Sequence, residues 1–242
     1  MPLLALETAT DLCSVALLDG DHVAVELTLA RPRAHAENLV PLLRDALRYG
    51  GVEASALEAV AVSQGPGSYT GLRIGASTAK GLATALDVPL VAVPSLEVLA
   101  AAVAPAASPG DVICAAFNAR RDEFYAAAFE RGPDGTLAAL RETAALEASS
   151  VPEWLAAPAG RRVWLVGEGA AGIEAALAAA GAEDLHRPGA PFDVPSAGWV
   201  GRLARPRLAA GRVEDAAAFE PFYLKEFVAK KPQSSIFERL PF

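Results

Sequence analysis

The sequence predicts an α/β protein of two lobes, each with the element order βββαβα. Short apolar stretches with the patterns of strands alternate with longer stretches of helical periodicity. The same order of elements occurs twice, and a segment with two prolines at residues 104–110 separates the two occurrences. The chain has 242 residues, 52% of them hydrophobic, which is enough for two small domains with real cores.

The elements of the first half can be justified in order. The strands at residues 3–7 and 12–18 are short apolar runs, and the one at 22–29 alternates apolar and polar residues after a hairpin turn. A helix follows, with Leu39 and Leu43 in its buried stripe. A Val-rich strand at 57–62 leads into a helix that ends near residue 86. A strand at 88–93 and a helix that Ser95 is expected to cap complete this half.

The second half repeats the order. It comprises strands at residues 112–118, 123–130 and 137–146, a short helix to 154, a strand at 163–166 and a helix at 170–180. Such a duplication is typical of the two-lobed actin-like (ASKHA, ribonuclease H-like) architecture. We expect an N-terminal lobe at 1–104, a C-terminal lobe at 105–194, and a helix within about 195–228 that returns to the first lobe. Pro206 should kink or end a helix there. The tail at 229–242 is expected to dock through its large apolar side chains.

Residues 65–75 read GPGSYTGLRIG and connect a strand to a helix. Gly65, Pro66 and Gly67 break the strand, and Ser68 or Thr70 is placed to cap the helix. The helix has a stripe almost bare of side chains, because small residues recur every four positions. The stripe consists of Gly71, Gly75, Ala79 and Ala83, flanked by Leu72 and Ala76. It suits either close packing within the domain or a flat surface for a partner subunit.

Several common sites are not supported. No Gly-Lys-Ser/Thr follows the glycine segment, and its glycines lack dinucleotide spacing. G-x-G-x-x-G does occur at 167–172, but a poor strand at 183–188 leaves the βαβ unit incomplete, so a tight turn is the better interpretation. The three histidines have no i, i+4 pair for zinc, and no G-x-S-x-G is present.

Composition limits the partners. The net charge of -8 opposes independent binding of nucleic acid, and the basic spots, including Arg120 with Arg121 and residues 202–212, are expected to be solvated surface. Cys13 and Cys114 are expected to be reduced core thiols. The sequence shows neither a secretory leader nor a membrane span, which predicts a cytoplasmic protein.

The glycine segment resembles the hallmark of the TsaB (YeaZ) family of bacterial tRNA-modification proteins. Weaker matches follow in order at residues 35–41, 118–125 and 221–225, so the resemblance spans roughly residues 1–227. The family motif residues carried over are His35, Glu37, Asn38, Gly65, Pro66, Gly67, Ser68, Thr70, Arg73, Arg120 and Arg121.

The resemblance implies a non-catalytic subunit. Members of the family activate TsaD, which transfers threonylcarbamoyl to adenosine 37 of tRNAs reading codons that start with A, together with the ATPase TsaE. The resemblance therefore implies that ATP, ADP and metal belong to the partner complex and that tRNA binds only through it. A homodimer is an option for the isolated chain, whose oligomeric state the sequence does not decide. The expected partner surface comprises Leu39, Leu43, Tyr69, Gly71, Leu72, Gly75, Ala76, Ala79 and Ala83.

Two alternatives stay open. Glu7, Thr8 and Asp11 form the first hairpin corner, where actin-like proteins grip phosphates, and the two acids are candidates to hold hydrated magnesium. The corner has no glycine for close approach of a phosphate, so a degenerate cleft is favoured over a nucleotide-binding enzyme. A metal-dependent protease is the other alternative, and the missing histidine pair argues against it.

Overall fold

The computed structural model describes residues 1–119, 122–156 and 160–224. Arg120, Arg121 and the predicted tail at 229–242 lie outside these ranges. Two five-stranded sheets, each with helices, form a two-lobed actin-like fold, which confirms the predicted fold class.

The first sheet has the strand order β3-β2-β1-β4-β5. Strands β1 and β2 are antiparallel, and β1, β4 and β5 are parallel. The elements up to the end of this half are β1 (Pro2–Glu7), β2 (Leu12–Asp19), β3 (His22–Ala30), α1 (His35–Gly50), β4 (Ala59–Gly65), α2 (Tyr69–Leu86), β5 (Leu90–Pro94) and α3 (Ser95–Val103).

The second sheet repeats this arrangement, with the order β8-β7-β6-β9-β10. Its elements are β6 (Val112–Asn118), β7 (Glu123–Arg131), β8 (Leu137–Glu147), α4 (Val151–Leu155), β9 (Val163–Val166), α5 (Ala170–Ala179), β10 (Leu185–His186) and α6 (Ala197–Ala209). Residues 185–186 pair in parallel with β9. The βαβ unit that the sequence left incomplete is therefore present, because two residues of sheet pairing are too short to give a pattern.

Both faces of each sheet are covered. Helices α1 and α2 cover one face of the first sheet, and α4 and α5 cover one face of the second. The last helix of each half lies between the lobes. Leu96 and Leu99 of α3 pack on the second sheet, whereas Val200 and Ala204 of α6 pack on the first.

One local expectation for these helices was wrong, and half of another was. Pro206 lies inside α6, which continues to Ala209, so the proline does not end the helix. Ser95 is the first residue of α3 rather than its cap, and its hydroxyl accepts a hydrogen bond from the Gly65 N–H at 3.0 Å.

Arg205 joins α6 to the first lobe. Its guanidinium is paired with Glu58 and donates hydrogen bonds to the carbonyls of Met1 at 2.6 Å and Leu18 at 3.2 Å. Within the described ranges, every helix is too short or too polar to cross a lipid bilayer.

Candidate functional site

The glycine loop carries the chain from β4 into α2 beside the second sheet. Gly65 has a φ of +111°, a conformation that L side chains rarely adopt, and a Cβ there would lie 2.6 Å from the Phe222 carbonyl oxygen. Ser68 is the N-cap of α2, and its side chain accepts a hydrogen bond from the Gly71 N–H at 3.3 Å. The predicted cap is thus confirmed for Ser68, whereas Thr70 lies inside the helix.

The loop closes directly on the corner between β1 and β2. A Cβ on Gly67 would collide with the Ala9 carbonyl oxygen, and one on Gly71 would collide with the Thr8 carbonyl oxygen. The Ser68 N–H donates to the Ala9 carbonyl at 2.7 Å. The corner at which actin-like proteins approach a phosphate is therefore in contact with the chain's own backbone. The glycines serve this internal contact.

Glu7 lies behind the corner and is fully buried. Burial raises the pKa of its carboxyl to about 7, although the Ala9 N–H donates to Oε1 at 2.6 Å and opposes the shift. Its Oε2 and the Thr8 Oγ1 are buried without a hydrogen-bond partner among the described residues. Of Glu7, Thr8 and Asp11, only Asp11 lines the cleft. The structure thus contradicts the pairing of Glu7 with Asp11 as accessible magnesium ligands.

A cleft of about 300 Å³ opens between the lobes at this corner. Asp11 from the first lobe and Glu168 from the second both line it. Burial, and secondarily the negative charge of Asp11, raise the pKa of Glu168. None of the described lining residues is Lys or Arg. Two carboxylates in such a cleft oppose the phosphates of a nucleotide.

The remaining cleft walls are largely aromatic, and sequence reasoning missed most of them. The rings are those of Tyr69, Phe117, Tyr125, Phe222 and Tyr223. The Phe222 N–H donates to the Gln64 carbonyl at 2.7 Å, so the segment after α6 is tied to the end of β4. The match at residues 221–225 was the one signal in the sequence that could have pointed to this segment.

Tyr69 and Arg73 lie together at the start of α2. The Arg73 guanidinium donates to the Tyr69 hydroxyl at 2.7 Å, and this contact raises the pKa of Arg73. The ring centroids of Tyr69 and Tyr223 are 5.1 Å apart. Arg73 is exposed at this point.

The bare stripe of α2 faces inward. Gly71, Gly75, Ala79 and Ala83 are all buried, and a Cβ on Gly75 would collide with the Thr8 hydroxyl. Leu39, Leu43, Leu72 and Ala76 are also buried within the first lobe. Of the predicted partner surface, only Tyr69 keeps partial exposure. The other eight residues already pack within their own lobe, so the structure does not leave them exposed to a partner.

The opposite face of α2 is also nearly bare. Its exposed positions after Arg73 are Ser77, Gly81, Thr84 and Ala85. A Cβ on Gly81 would have no described atom within 4 Å, so packing within the lobe does not require this glycine. Helix α1 packs beside α2 and exposes two large apolar side chains, Val40 at 52% and Tyr49 at 65%. We call the four exposed residues of α2, Ser77, Gly81, Thr84 and Ala85, the outer face.

The predicted motif on α1 starts the helix. His35 is its first residue and is buried rather than on the surface, where its ring Nε2 donates to the Leu12 carbonyl at 2.9 Å. The Asn38 amide donates to the Ala34 carbonyl at 2.8 Å, and Glu37 is exposed in the first turn. These contacts orient α1 against β2.

The second glycine motif also serves packing. A Cβ on Gly167 would collide with the Ala116 carbonyl oxygen. One on Gly172 would collide with the Phe124 ring, 2.6 Å from its Cε1. The Gly169 N–H donates to the same Ala116 carbonyl at 2.9 Å. The space that a dinucleotide needs is thus filled. Among the described residues, no group of three His, Cys, Asp or Glu side chains could hold a metal ion.

Comparison with known proteins places the chain in a family. The sequence model described as "TsaD: tRNA N6-adenosine threonylcarbamoyltransferase" matches residues 29–232. The tRNA threonylcarbamoyladenosine biosynthesis protein TsaB of Escherichia coli is 30% identical over 96% of this chain and 97% of its own length. The tRNA N6-adenosine threonylcarbamoyltransferase of Zymomonas mobilis is 37% identical, over only 39% of this chain and 30% of its own length.

A solved structure agrees over nearly the whole chain. YeaZ from Pseudomonas aeruginosa has a TM-score of 0.77 and 31% identity, covering 92% of this chain and 99% of that one. The full-length match in sequence is to a protein named TsaB, and the full-length match in structure is to YeaZ, the other name of that family. The transferase shares only part of its length with this chain. The chain therefore belongs to the TsaB (YeaZ) family, within the broader group that the TsaD model describes.

Proposed function

We propose that this chain is a non-catalytic subunit of the machinery that forms N6-threonylcarbamoyladenosine at position 37 of tRNA. It pairs with and activates a TsaD-type transferase, and a TsaE-type ATPase joins the pair. The names of the relatives, one of them matched over nearly its full length, support the pathway. The partial match to a transferase supports a partner of related fold.

The cleft supports the non-catalytic assignment. Its phosphate corner is in contact with the glycine loop, and its two carboxylates repel anions. ATP, ADP and metal then belong to the partner complex, and tRNA is reached through it. Calorimetry with ATP and ADP on the isolated chain should show weak or no binding.

The single observation that carries the partner assignment is an exposed glycine, Gly81, in the middle of α2. Glycine inside a helix costs about 1 kcal/mol relative to alanine, and nothing within this lobe requires it. With Ser77, Thr84 and Ala85 it lets the backbone of another helix approach α2 closely. The outer face is thus our proposed contact for the transferase, or for a second copy of this chain when the transferase is absent.

The activity test is an omission experiment. Purified tRNA, threonylcarbamoyl-adenylate synthase, TsaD and TsaE are incubated with ATP, threonine and bicarbonate, and modified adenosine is measured with and without this chain. We expect product only when both the chain and TsaD are present. Equal product without the chain would refute the activating role.

The interface test uses one position. Gly81→Leu should abolish co-elution with TsaD on size exclusion while the chain keeps its circular dichroism spectrum and melting temperature. Lys80→Leu, on the neighbouring half-buried residue, is not a suitable control because its Nζ donates to the Ala217 and Phe219 carbonyls. Glu153→Leu on α4, in the second lobe, is the matched control and should leave pairing intact. Normal pairing by Gly81→Leu would refute the outer face as the contact.

A further inference from the structure

A second, larger concavity lies on another side of the molecule. It is an open groove of about 810 Å³ between α3, α6 and the turn from β7 to β8. Arg131, Arg202, Arg207 and Arg212 line it, together with Trp199 and a single carboxylate, that of Glu97. We call it the arginine groove. Neither the interlobe cleft nor the outer face shares a residue with it.

The charge in the arginine groove is largely uncompensated. Glu97 is already paired with Arg207, at 2.6 Å between Oε2 and Nη2. Neither Arg202 nor Arg212 has a carboxylate within 4.0 Å in the part of the chain that the structure describes. A concave concentration of positive charge on a chain of net charge -8 focuses the local potential and attracts anions.

Arg131 is held at the edge of the groove by contacts with its own turn. Its Nη1 donates to the Gly132 carbonyl at 2.8 Å, but its Nε is buried without an acceptor among the described residues. The nearest acid on the same turn, Asp134, accepts from the Thr136 hydroxyl at 2.6 Å and from the Thr136 N–H at 3.1 Å.

Trp199 favours nucleic acid over other anions. It is half-buried in the wall of the groove, and the Arg202 guanidinium lies 4.7 Å from its ring centroid. An aromatic face beside guanidinium groups is the combination with which proteins hold single-stranded nucleic acid, because bases stack on the ring while the cations contact phosphates. The ring also packs against the buried cluster that contains Val200 and Ala204.

We propose that the arginine groove binds the phosphodiester backbone of the RNA substrate, with a base against Trp199. This inference rests on the proposed function, since it is that pathway which supplies an RNA. It corrects the expectation that residues 202–212 are ordinary solvated surface: here the transferase complex contacts tRNA through this chain as well.

The test measures binding of fluorescently labelled tRNA to the assembled chain–TsaD pair at several salt concentrations. The test variant is Arg202→Ala/Arg212→Ala. The matched control, Arg162→Ala/Arg187→Ala, removes the same charge from exposed ion pairs of the second lobe, with Asp184 and Glu174. If each groove arginine contacts one phosphate, the slope of log affinity against log salt should shrink by about 1.4 to 1.8. Affinity at 0.1 M salt should then fall roughly 30-fold.

The outcomes separate the possible ligands. Unchanged affinity and slope in the groove variant, or an equal loss in the control, would overturn the proposal. Polyglutamate that competes as well as a single-stranded RNA, at the same concentration of negative charge, would also overturn it, because this result would indicate an acidic protein segment as the ligand. Competition by AMP or inorganic phosphate as effective as that by the RNA strand would indicate a free anion and would also overturn it. Preferential competition by the RNA strand supports it.

Failure of this inference can be told from failure of the proposed function. Pairing with TsaD and the omission experiment with the unmodified chain test the function without reference to the groove. If the unmodified chain activates TsaD and the groove variant binds tRNA normally, only the groove assignment is wrong. A groove variant that pairs normally and recovers product at saturating tRNA supports a binding role.

Discussion

The same substitution, glycine to alanine, should have opposite effects at two positions of α2. At Gly81 the added methyl group has no described atom within 4 Å, whereas at Gly71 it would collide with the Thr8 carbonyl oxygen. The pair therefore compares the inner and outer faces of one helix with identical chemistry. It tests whether the glycine motif serves packing against the β1–β2 corner.

The magnitudes follow from the contacts. Gly81→Ala gains helix propensity of about 1 kcal/mol and should raise the melting temperature by about 2–4 °C. Gly71→Ala forces buried backbone apart, and overpacking of this kind costs about 1–3 kcal/mol. Because a carbonyl oxygen cannot rotate away as a side chain does, we expect a loss of about 2 kcal/mol and a melting temperature lower by about 4–8 °C.

The assay is chemical and thermal unfolding of both variants and the unmodified chain, at one protein concentration so that self-association is equal. Gly110→Ala is not a useful control, since its φ of +87° strains any side chain. Ser77→Ala, on the outer face of the same helix, is the matched control. A Gly71→Ala variant as stable as the unmodified chain would refute the packing account of the motif.

Three further predictions concern stability and reactivity. The pKa of Glu7 is raised from 4.5 to about 7, so the folded chain binds a proton that the unfolded chain releases, and stability falls as pH rises from 4.5 to 7. Denaturant titrations should show that the free energy of unfolding of Glu7→Gln, relative to that of the unmodified chain, rises by roughly 3 kcal/mol from pH 5 to pH 8. A difference that stays the same at both pH values would contradict the raised pKa. Arg205→Ala should cost about 3 kcal/mol, because it leaves Glu58 unpaired in a site where both side chains are largely buried. Arg205→Lys should recover only part of it in the same titrations, and full recovery would show that charge alone matters. Burial raises the pKa of Cys13 to about 11 and of Cys114 to about 12, so both thiols should react with a disulfide reagent at pH 8 only on unfolding. Rapid reaction of the folded chain would contradict this.

Local pattern predicted most of the fold. Short apolar runs, alternating or rich in Val, placed all five strands of the first lobe, because strands on a buried sheet are short and their side chains alternate between its faces. The strand β10 was missed, since two residues of pairing depend on β9 rather than on their own pattern. Likewise, Ser95 has the residue type of a cap, but its hydroxyl bonds to Gly65 across the sheet.

The candidate sites were predicted less well than the fold. The four-residue spacing of Gly71, Gly75, Ala79 and Ala83 correctly indicated close backbone approach but could not say from which side. Gly81 is out of phase with that stripe, and this was the available signal for the outer face. The arginine groove joins residues from α3, α6 and a turn of the second lobe, so no stretch of sequence contains its pattern.

The sequence by itself determined the duplicated α/β order, the loop that ends β4, a helix cap at Ser68 or Thr70 and the family resemblance, because each depends on residues close together in the chain. Only the tertiary structure decided that the bare stripe of α2 packs on Thr8, that Glu7 is buried with a raised pKa, and that α3 and α6 lie between the lobes. These depend on what a residue meets across the fold. Burial and electrostatic environment are set by elements distant in sequence, and no local pattern records them.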